Sequence, residues 1–268
     1  STAMIMVVLV TMSMLYVKIT ALSLDAQHTW GGNGADYARG IAVDNIGNIY
    51  LTGYTDSFSG NNDIFLVKFD PNGNKIWDRI WGGGGDDRAF SIALDSMGNI
   101  YVAGFTSSAG AGSWDAIVIK FDPNGNKIWD RIIGTSEADI ITSVFIDTND
   151  YIYATGYTGD PGSNNADTLL VKLDSNGNIL WSKKWSYPNR NDQGSGIVLD
   201  NNGNIYVAGL FYTEAQGGGN DGNNLVIKFD QNGNKIWDKG YSAVPREQLN
   251  GITIGSDGFL YAVGSTIE

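Results

Sequence analysis

Cysteine is absent from the 268 residues, histidine occurs once, as His28, and proline only five times. Without cysteine there is no disulfide framework and no thiol nucleophile. A single histidine excludes multi-histidine metal sites, and it would be the only base for a Ser-His-Asp relay. No Gly-x-Ser-x-Gly elbow accompanies it, so His28 reads as a structural or surface residue. Basic residues are scarce as well: 17 Lys and Arg against 29 Asp and Glu leave a formal charge of −12. Phosphate binding needs the opposite sign, which disfavours nucleic acid as a partner. There is no Asn-x-Ser/Thr sequon, so N-linked sugars on that motif are not expected. An enzyme working through carboxylates alone is the catalytic class left, and no spacing points to one. The expectation is a protein that is not an enzyme, with no cofactor.

What is present divides the chain in two. Residues 4–24 carry fifteen large apolar side chains and a single charge, Lys18. At roughly 1.5–3 kcal/mol per side chain, exposing them to water would cost tens of kcal/mol. The apolar residues run all the way round a helical wheel, the pattern of a helix buried on every side. Such a helix is long enough to cross a bilayer, and a bundle of identical helices would bury it equally well. A secretory signal peptide would carry a basic flank ahead of the run, and Ser1-Thr2-Ala3 provide none. The start STAMIMVVLVTMSMLYV resembles the mature N-terminus of archaeal type IV pilins and archaellins. That resemblance implies a helix that polymerises through Ile5, Val8, Leu9, Met12, Leu15, Tyr16 and Ile19, after removal of an upstream leader.

Beyond Asp25 the chain repeats itself. KFDPNGNKIWDRI occurs at 68–80 and 120–132, with looser copies at 172–181 and 228–238. Between these lie DNIGNIYLTG at 44–53, DSMGNIYVAG at 95–104, DTNDYIYATG at 147–156, DNNGNIYVAG at 200–209 and GSDGFLYAVG at 255–264. The unit is therefore about 52 residues. Within it the apolar residues alternate with period two, which reads as strands. In the first unit these are residues 39–44, 48–54, 63–69 and 75–81, with Gly and Asn adjacent at both tight hairpins, Gly47-Asn48 and Asn72-Gly73. A four-stranded meander cannot bury both faces alone, so stacking around an axis is the natural solution.

The strings W-x-G-G, D-x-x-G-N-I-Y-V-x-G and D-x-x-x-V-K-F-D-x-N-G-N resemble the extracellular β-propeller repeats of the SBBP family over residues 27–268. The fold expected is all-β: a five-bladed β-propeller of four-stranded antiparallel meanders (27–268) preceded by a single hydrophobic α-helix (1–26). Four units are complete and the fifth supplies two strands, so His28 to Gly32 are expected to close the ring as its outermost strand. Leu15 to Ile19 look like Phe65 to Phe69 and offer a competing strand reading for the missing position.

One acid recurs ahead of every unit, as Asp36, Asp87, Asp139, Asp192 and Glu247, on the end of the sheets that also bears the longer loops. Asp63, Asp115 and Asp167 join them there. Oxygen ligands suit Ca²⁺ or glycan binding, while recurrence in every unit suits turn capping or pairing with Lys68, Lys120, Lys172 and Lys228. The D-x-N-G-N strings place glycine at position four where a calcium loop needs position six, and belong to hairpins. Trp77, Trp129, Trp181 and Trp237 share one register and are expected to pack blade on blade. Trp114 falls outside it, in the loop GAGSWD, and is the candidate for stacking on a sugar. The function expected is an extracellular filament subunit, a homo-oligomer through its N-terminal helix that displays the propeller for adhesion. The alternative is a membrane-anchored propeller binding surface glycans or divalent cations.

Overall fold

The structure, a computed structural model, describes residues 5–10, 29–160, 165–186, 191–212, 222–241 and 247–266. Nineteen strands make it up: β1 (Ile5–Val10), β2 (Asp36–Val43), β3 (Ile49–Thr55), β4 (Asp63–Phe69), β5 (Lys75–Trp81), β6 (Asp87–Leu94), β7 (Ile100–Thr106), β8 (Asp115–Phe121), β9 (Lys127–Ile133), β10 (Asp139–Ile146), β11 (Ile152–Thr158), β12 (Asp167–Leu173), β13 (Ile179–Trp185), β14 (Asp192–Leu199), β15 (Ile205–Tyr212), β16 (Gly222–Phe229), β17 (Lys235–Tyr241), β18 (Glu247–Ile254) and β19 (Leu260–Thr266). They form four consecutive four-stranded sheets, β2 to β5, β6 to β9, β10 to β13 and β14 to β17, and a fifth of order β1-β19-β18.

The repeat strings explain the hairpins. In the first unit Asp44 accepts hydrogen bonds from the Ile46 and Asn48 N–H groups, the Asn48 amide and the Tyr50 hydroxyl, at 3.1, 2.8, 2.7 and 3.2 Å. The spacing D-x-x-x-N-x-Y therefore places three residues on one carboxylate and closes the turn. Asp70 does the same at the second hairpin through Asn72 and Asn74, where Gly73 has φ +82°, a left-handed backbone that glycine adopts without strain. The glycine ending each Y-x-x-G has another cause. The first strand of each unit carries a one-residue bulge opposite it, between Ala89 and Ser91 in the second, and a Cβ on Gly104 would stand 1.8 Å from the Arg88 carbonyl oxygen.

The core lies between the sheets. Tyr50, Ile64 and Leu66 of the first sheet meet Ile100, Val102, Ile117, Ile119 and Phe121 of the second. The opposite face of the second sheet, with Tyr101, Ala103, Ala116 and Val118, meets Ile141, Val144, Leu169 and Val171 of the third. Tyr153 and Leu170 then meet Ile197, Val207 and Ile227, and Ala208 and Val226 meet Leu249 and Ala262. Strands two and three of an inner sheet are thus buried on both faces, which is why they read as near-continuous apolar runs. The recurring tryptophans seal these junctions at the rim. A Cβ on Gly125, Gly177 or Gly233 would stand 3.1, 3.0 or 3.1 Å from the ring of Trp77, Trp129 or Trp181 in the preceding sheet.

Three expectations need correction. The helix preceding the propeller is not found: residues 5–10, which include Ile5, Val8 and Leu9, form β1, paired parallel with β19 from Ile5↔Leu260 to Val10↔Ser265. An apolar run with no polar stripe has no period that separates a buried helix from a buried strand, and Ile5, Val7, Val8 and Val10 are β-branched, which favours the strand. Met12, Leu15, Tyr16 and Ile19 lie outside the described residues, as does His28. Among the described residues no helix is long and apolar enough to cross a membrane. The second correction concerns the fifth blade, which has three strands and a parallel pairing in place of a four-stranded antiparallel meander. Third, Trp30 does not sit in that last sheet: its ring lies 4.4 Å from Phe65 and its indole N–H donates to Asp78 at 3.2 Å, both in the first.

Candidate functional site

Two ends of the sheets carry polar clusters, and they differ in kind. At the hairpin end, the repeated lysines lie over the tyrosines that the turn aspartates hold: Lys68 over Tyr50 at 4.9 Å, Lys120 over Tyr101 at 4.9 Å, Lys172 over Tyr153 at 4.8 Å and Lys228 over Tyr206 at 5.0 Å. Lys120 also pairs with Asp95 at 3.6 Å, with both side chains buried, and Lys228 with Asp200 at 3.9 Å. Burial, then the charge of Asp44 and its hydrogen bond, push the Tyr50 hydroxyl up to about 12. Burial lowers Lys172, against the pull of Asp147. The lysines therefore serve the hairpin aspartates. They do not pair with the acids that precede each unit, which was one reading of those acids.

Those acids stand at the opposite, loop end. Asp87 is fully buried; its carboxylate accepts from the Gly83 N–H at 2.9 Å, the Ser108 hydroxyl at 2.6 Å and the Thr106 hydroxyl. Its own N–H donates to the Asn62 carbonyl of the preceding sheet at 2.8 Å. Asp36 repeats the pattern with Gly32, Ser57 and Thr55. Burial raises the Asp36 carboxyl, but the Thr55, Gly32 and Ser57 donors outweigh it and hold it below the usual value. Asp139 accepts from the Thr135 N–H and hydroxyl at 2.6 and 3.0 Å, and its N–H donates to Trp114. Asp192 is buried and donates its N–H to Ala166 at 2.7 Å; Phe211 stands opposite it where the first three units have threonine. Glu247 pairs with Thr266 through its backbone, and its side chain lies outside the described residues. In the first three units the acid thus holds the turn ahead of it, in the first two it also holds the loop hydroxyls, and in the second to fourth its N–H reaches the sheet before.

Asp63 and Asp115 begin the third strands at the same end. Asp115 accepts from the Ala111 and Gly112 N–H groups at 3.3 and 3.0 Å. Asp63 accepts from Ser59, its other carboxylate oxygen has no hydrogen-bond partner, and burial, helped by the charge of Asp87, raises its carboxyl. Among the described residues no three His, Cys, Asp or Glu side chains come together as metal ligands.

Among the exposed side chains of the loop end are two aromatics. Trp114 is 39% exposed and leans on Phe105 at 5.1 Å; Phe58, in the corresponding loop of the first unit, is 56% exposed and lies 5.8 Å from Trp30. Phe58 escaped sequence reasoning because it sits in no repeat register; an apolar residue among Ser and Gly between two strands was the available signal.

Comparison with known proteins agrees with the repeat reading. Residues 30–59 and 180–210 match a β-propeller repeat, SBBP, and residues 47–75 and 98–127 match a β-propeller domain of unknown function. An uncharacterized WD repeat-containing protein of Acanthamoeba polyphaga mimivirus is 32% identical over 38% of this chain, which spans 9% of that protein's length. Among solved structures, an endo-arabinase from Bacteroides thetaiotaomicron superposes with a TM-score of 0.50 at 11% identity, covering 83% of this chain and 86% of that one. A gluconolactonase from Xanthomonas campestris gives 0.49 at 14% identity, covering 85% and 69%. The expectation of a protein that is not an enzyme is overturned here, since the fold is shared with an endo-arabinase and gives no ground for excluding catalysis. By its repeats and its sheets the chain is a β-propeller protein.

Proposed function

We propose that the protein is an extracellular recognition module that takes a carbohydrate on the loop end of its sheets. The observation that carries this reading is the presentation of Phe58 and Trp114 from successive loops at one end, 56% and 39% exposed. Aromatic faces stack on the apolar faces of sugar rings, and pockets that fix such ligands combine a few aromatic and polar groups. Ser and Gly around them supply hydroxyls and backbone N–H groups. The recurring acids support the reading indirectly: their oxygens are engaged in holding the loops, so they act as scaffold for the aromatics. Resemblance of the repeats to extracellular ones and the net charge of −12 support a location outside the cell. The pilin reading lost its ground when residues 5–10 proved to be a strand.

The test is binding of the full chain to an array of neutral and acidic oligosaccharides, followed by titration calorimetry on whatever is retained. Replacing Trp114 or Phe58 by Ala is expected to weaken binding about tenfold, equivalent to ~1.4 kcal/mol, with the melting temperature unchanged. Undiminished binding by the double variant, or no retained glycan, would refute the reading.

A further inference from the structure

Among the six arginines, two stand outside the repeat. Arg79 and Arg131 share one register and donate to the turn carbonyls of Gly125 and Gly177 in the next sheet, at 2.9 and 2.7 Å; Arg190 and Arg246 lie outside the described residues. Arg39 and Arg88 come from different registers. Where the first unit has Tyr37 the later ones have Arg88, Ile140, Gln193 and Gln248, and where it has Arg39 they have Phe90, Thr142, Ser195 and Asn250. Arg39 is the extra residue of the bulge between Ala38 and Gly40, a device that re-aims a side chain. Both guanidiniums converge on the Tyr54 ring, Arg39 at 5.5 Å and Arg88, from the second sheet, at 4.7 Å. From there rings and guanidiniums continue in both directions at the loop end: Tyr37 stacks on Tyr54 at 4.9 Å, Arg88 lies over Phe105 at 5.9 Å, and Phe105 carries Trp114 at 5.1 Å. Tyr54 and Phe105 in the middle are buried, whereas Tyr37, Arg39 and Trp114 are exposed. The two arginines differ in charge balance. Arg88 is gripped by Asp86 through two bonds, Nε to Oδ1 at 2.9 Å and Nη2 to Oδ2 at 2.8 Å. Arg39 has no carboxylate partner among the described residues; its Nη2 donates to the Tyr54 hydroxyl at 3.0 Å, which leaves its other donors and its charge unmatched.

We infer that the carbohydrate taken at the loop end bears a carboxylate, as a uronic acid does: its ring lies on Tyr37 and its carboxylate on Arg39. The inference rests on the carbohydrate reading and narrows it. A planar guanidinium fork matches a carboxylate through two parallel hydrogen bonds, whereas a neutral sugar leaves the charge of Arg39 unanswered. The guanidinium carbon lies 6.0 Å from the centre of the Tyr37 ring, so one monosaccharide reaches both. Tyr54 holds the two in place from beneath, by stacking on Tyr37 and by accepting from Arg39. Trp114, at the other end of the run, offers a second exposed ring to the rest of an oligosaccharide. The net charge of −12 opposes unspecific accumulation of polyanions, so selectivity for the acid falls on this one contact.

Titration calorimetry on the full chain tests it with three probes: a short oligo-uronate, its methyl ester, and the neutral oligosaccharide of the same linkage. The wild type is expected to bind the free acid about tenfold tighter than the ester or the neutral sugar, the scale of a hydrogen bond to a charged group. Arg39→Gln should bring the affinities for acid and ester together, and Tyr37→Ala should weaken both. The comparison of acid with ester uses the wild type alone, so it holds even if a variant folds poorly; circular dichroism melts check the variants. Equal affinity of the wild type for acid and ester overturns the inference, as does a preference for the acid that survives Arg39→Gln. In either case binding of the ester or the neutral sugar leaves the carbohydrate reading standing. Failure to bind all three probes also overturns the inference, and the broader reading falls with it only if the oligosaccharide array retains nothing.

Discussion

The first sheet and the second have nearly the same sequence and live in different surroundings. KFDPNGNKIWDRI is shared between them residue for residue, yet the second sheet is sandwiched between two others and the first leaves Ile41 and Val43 exposed. Ile100 and Val102 are fully buried, whereas their counterparts Ile49 and Leu51 are half-buried and line a groove beside Trp30. The difference extends to the rim, where the turn at Gly125 is gripped by Trp77 and by Arg79, whose guanidinium donates to the Gly125 and Asn124 carbonyls at 2.9 Å each. A repeat is therefore a half-finished unit: its stability belongs largely to the junctions, and a terminal copy is weak wherever a neighbour is missing.

Paired substitutions can break this comparison. Ile92→Ala is expected to cost roughly 2–4 kcal/mol in urea unfolding of dilute protein, whereas Ile41→Ala should stay within about 0.5 kcal/mol. Equal costs would mean the first face is covered after all. Next in size, Lys120→Met leaves the buried Asp95 without its counter-charge and should cost about 3 kcal/mol. Lys68→Met, which gives up a ring contact at 4.9 Å and a 3.5 Å bond to Pro123, should cost about 1 kcal/mol or less.

The third contrast depends on pH. Because the Asp63 carboxyl is raised in the folded state, its ionisation opposes folding, and the stability associated with the protonated form is lost as pH rises through the folded value. Asp63→Asn should therefore raise the melting temperature at pH 7 and lose that advantage below about pH 4, under the unfolded carboxyl value. Asp115→Asn, where two backbone N–H groups hold the carboxylate, should show no such gain. Melting curves across that range decide it. The smallest effect concerns Asp150, which adopts φ +60° where the other four units have glycine. Asp150→Gly relieves that conformation but gives up bonds from the Ser96 N–H and hydroxyl at 3.2 and 3.1 Å. The expected outcome is a net gain of about 0.5 kcal/mol or less.

Much of the fold was legible because local chemistry repeats. The third and fourth strands of the first unit fall at 63–69 and 75–81 as the alternation indicates, and the Asn-Gly hairpins stand where the glycines demand them. The first strand begins three residues early, at Asp36, because that acid continues the ladder opposite Thr55. The candidate site was less legible. The acids do recur on the loop end, but the partners of Asp87 are Thr106 on the adjacent strand, Ser108 in the loop after it and Gly83 in the turn before, and period-two alternation does not display that. Of the two readings of those acids, turn capping and pairing with the lysines, the second fails for the same reason: Lys120 is 25 residues from Asp95 in sequence and pairs with it instead.

By itself the sequence determined the meanders, since hydrogen bonds within a hairpin, left-handed glycines and period-two burial act over fewer than ten residues at a time. Tertiary structure alone decided which oxygen each repeated donor meets, that residues 5–10 add to the last sheet as a parallel strand, and that Ile41 stays exposed where its counterpart Ile92 is covered. Those outcomes depend on contacts between residues 19 or more positions apart, where similar repeats compete for similar neighbours and only the packed arrangement settles which of them has one.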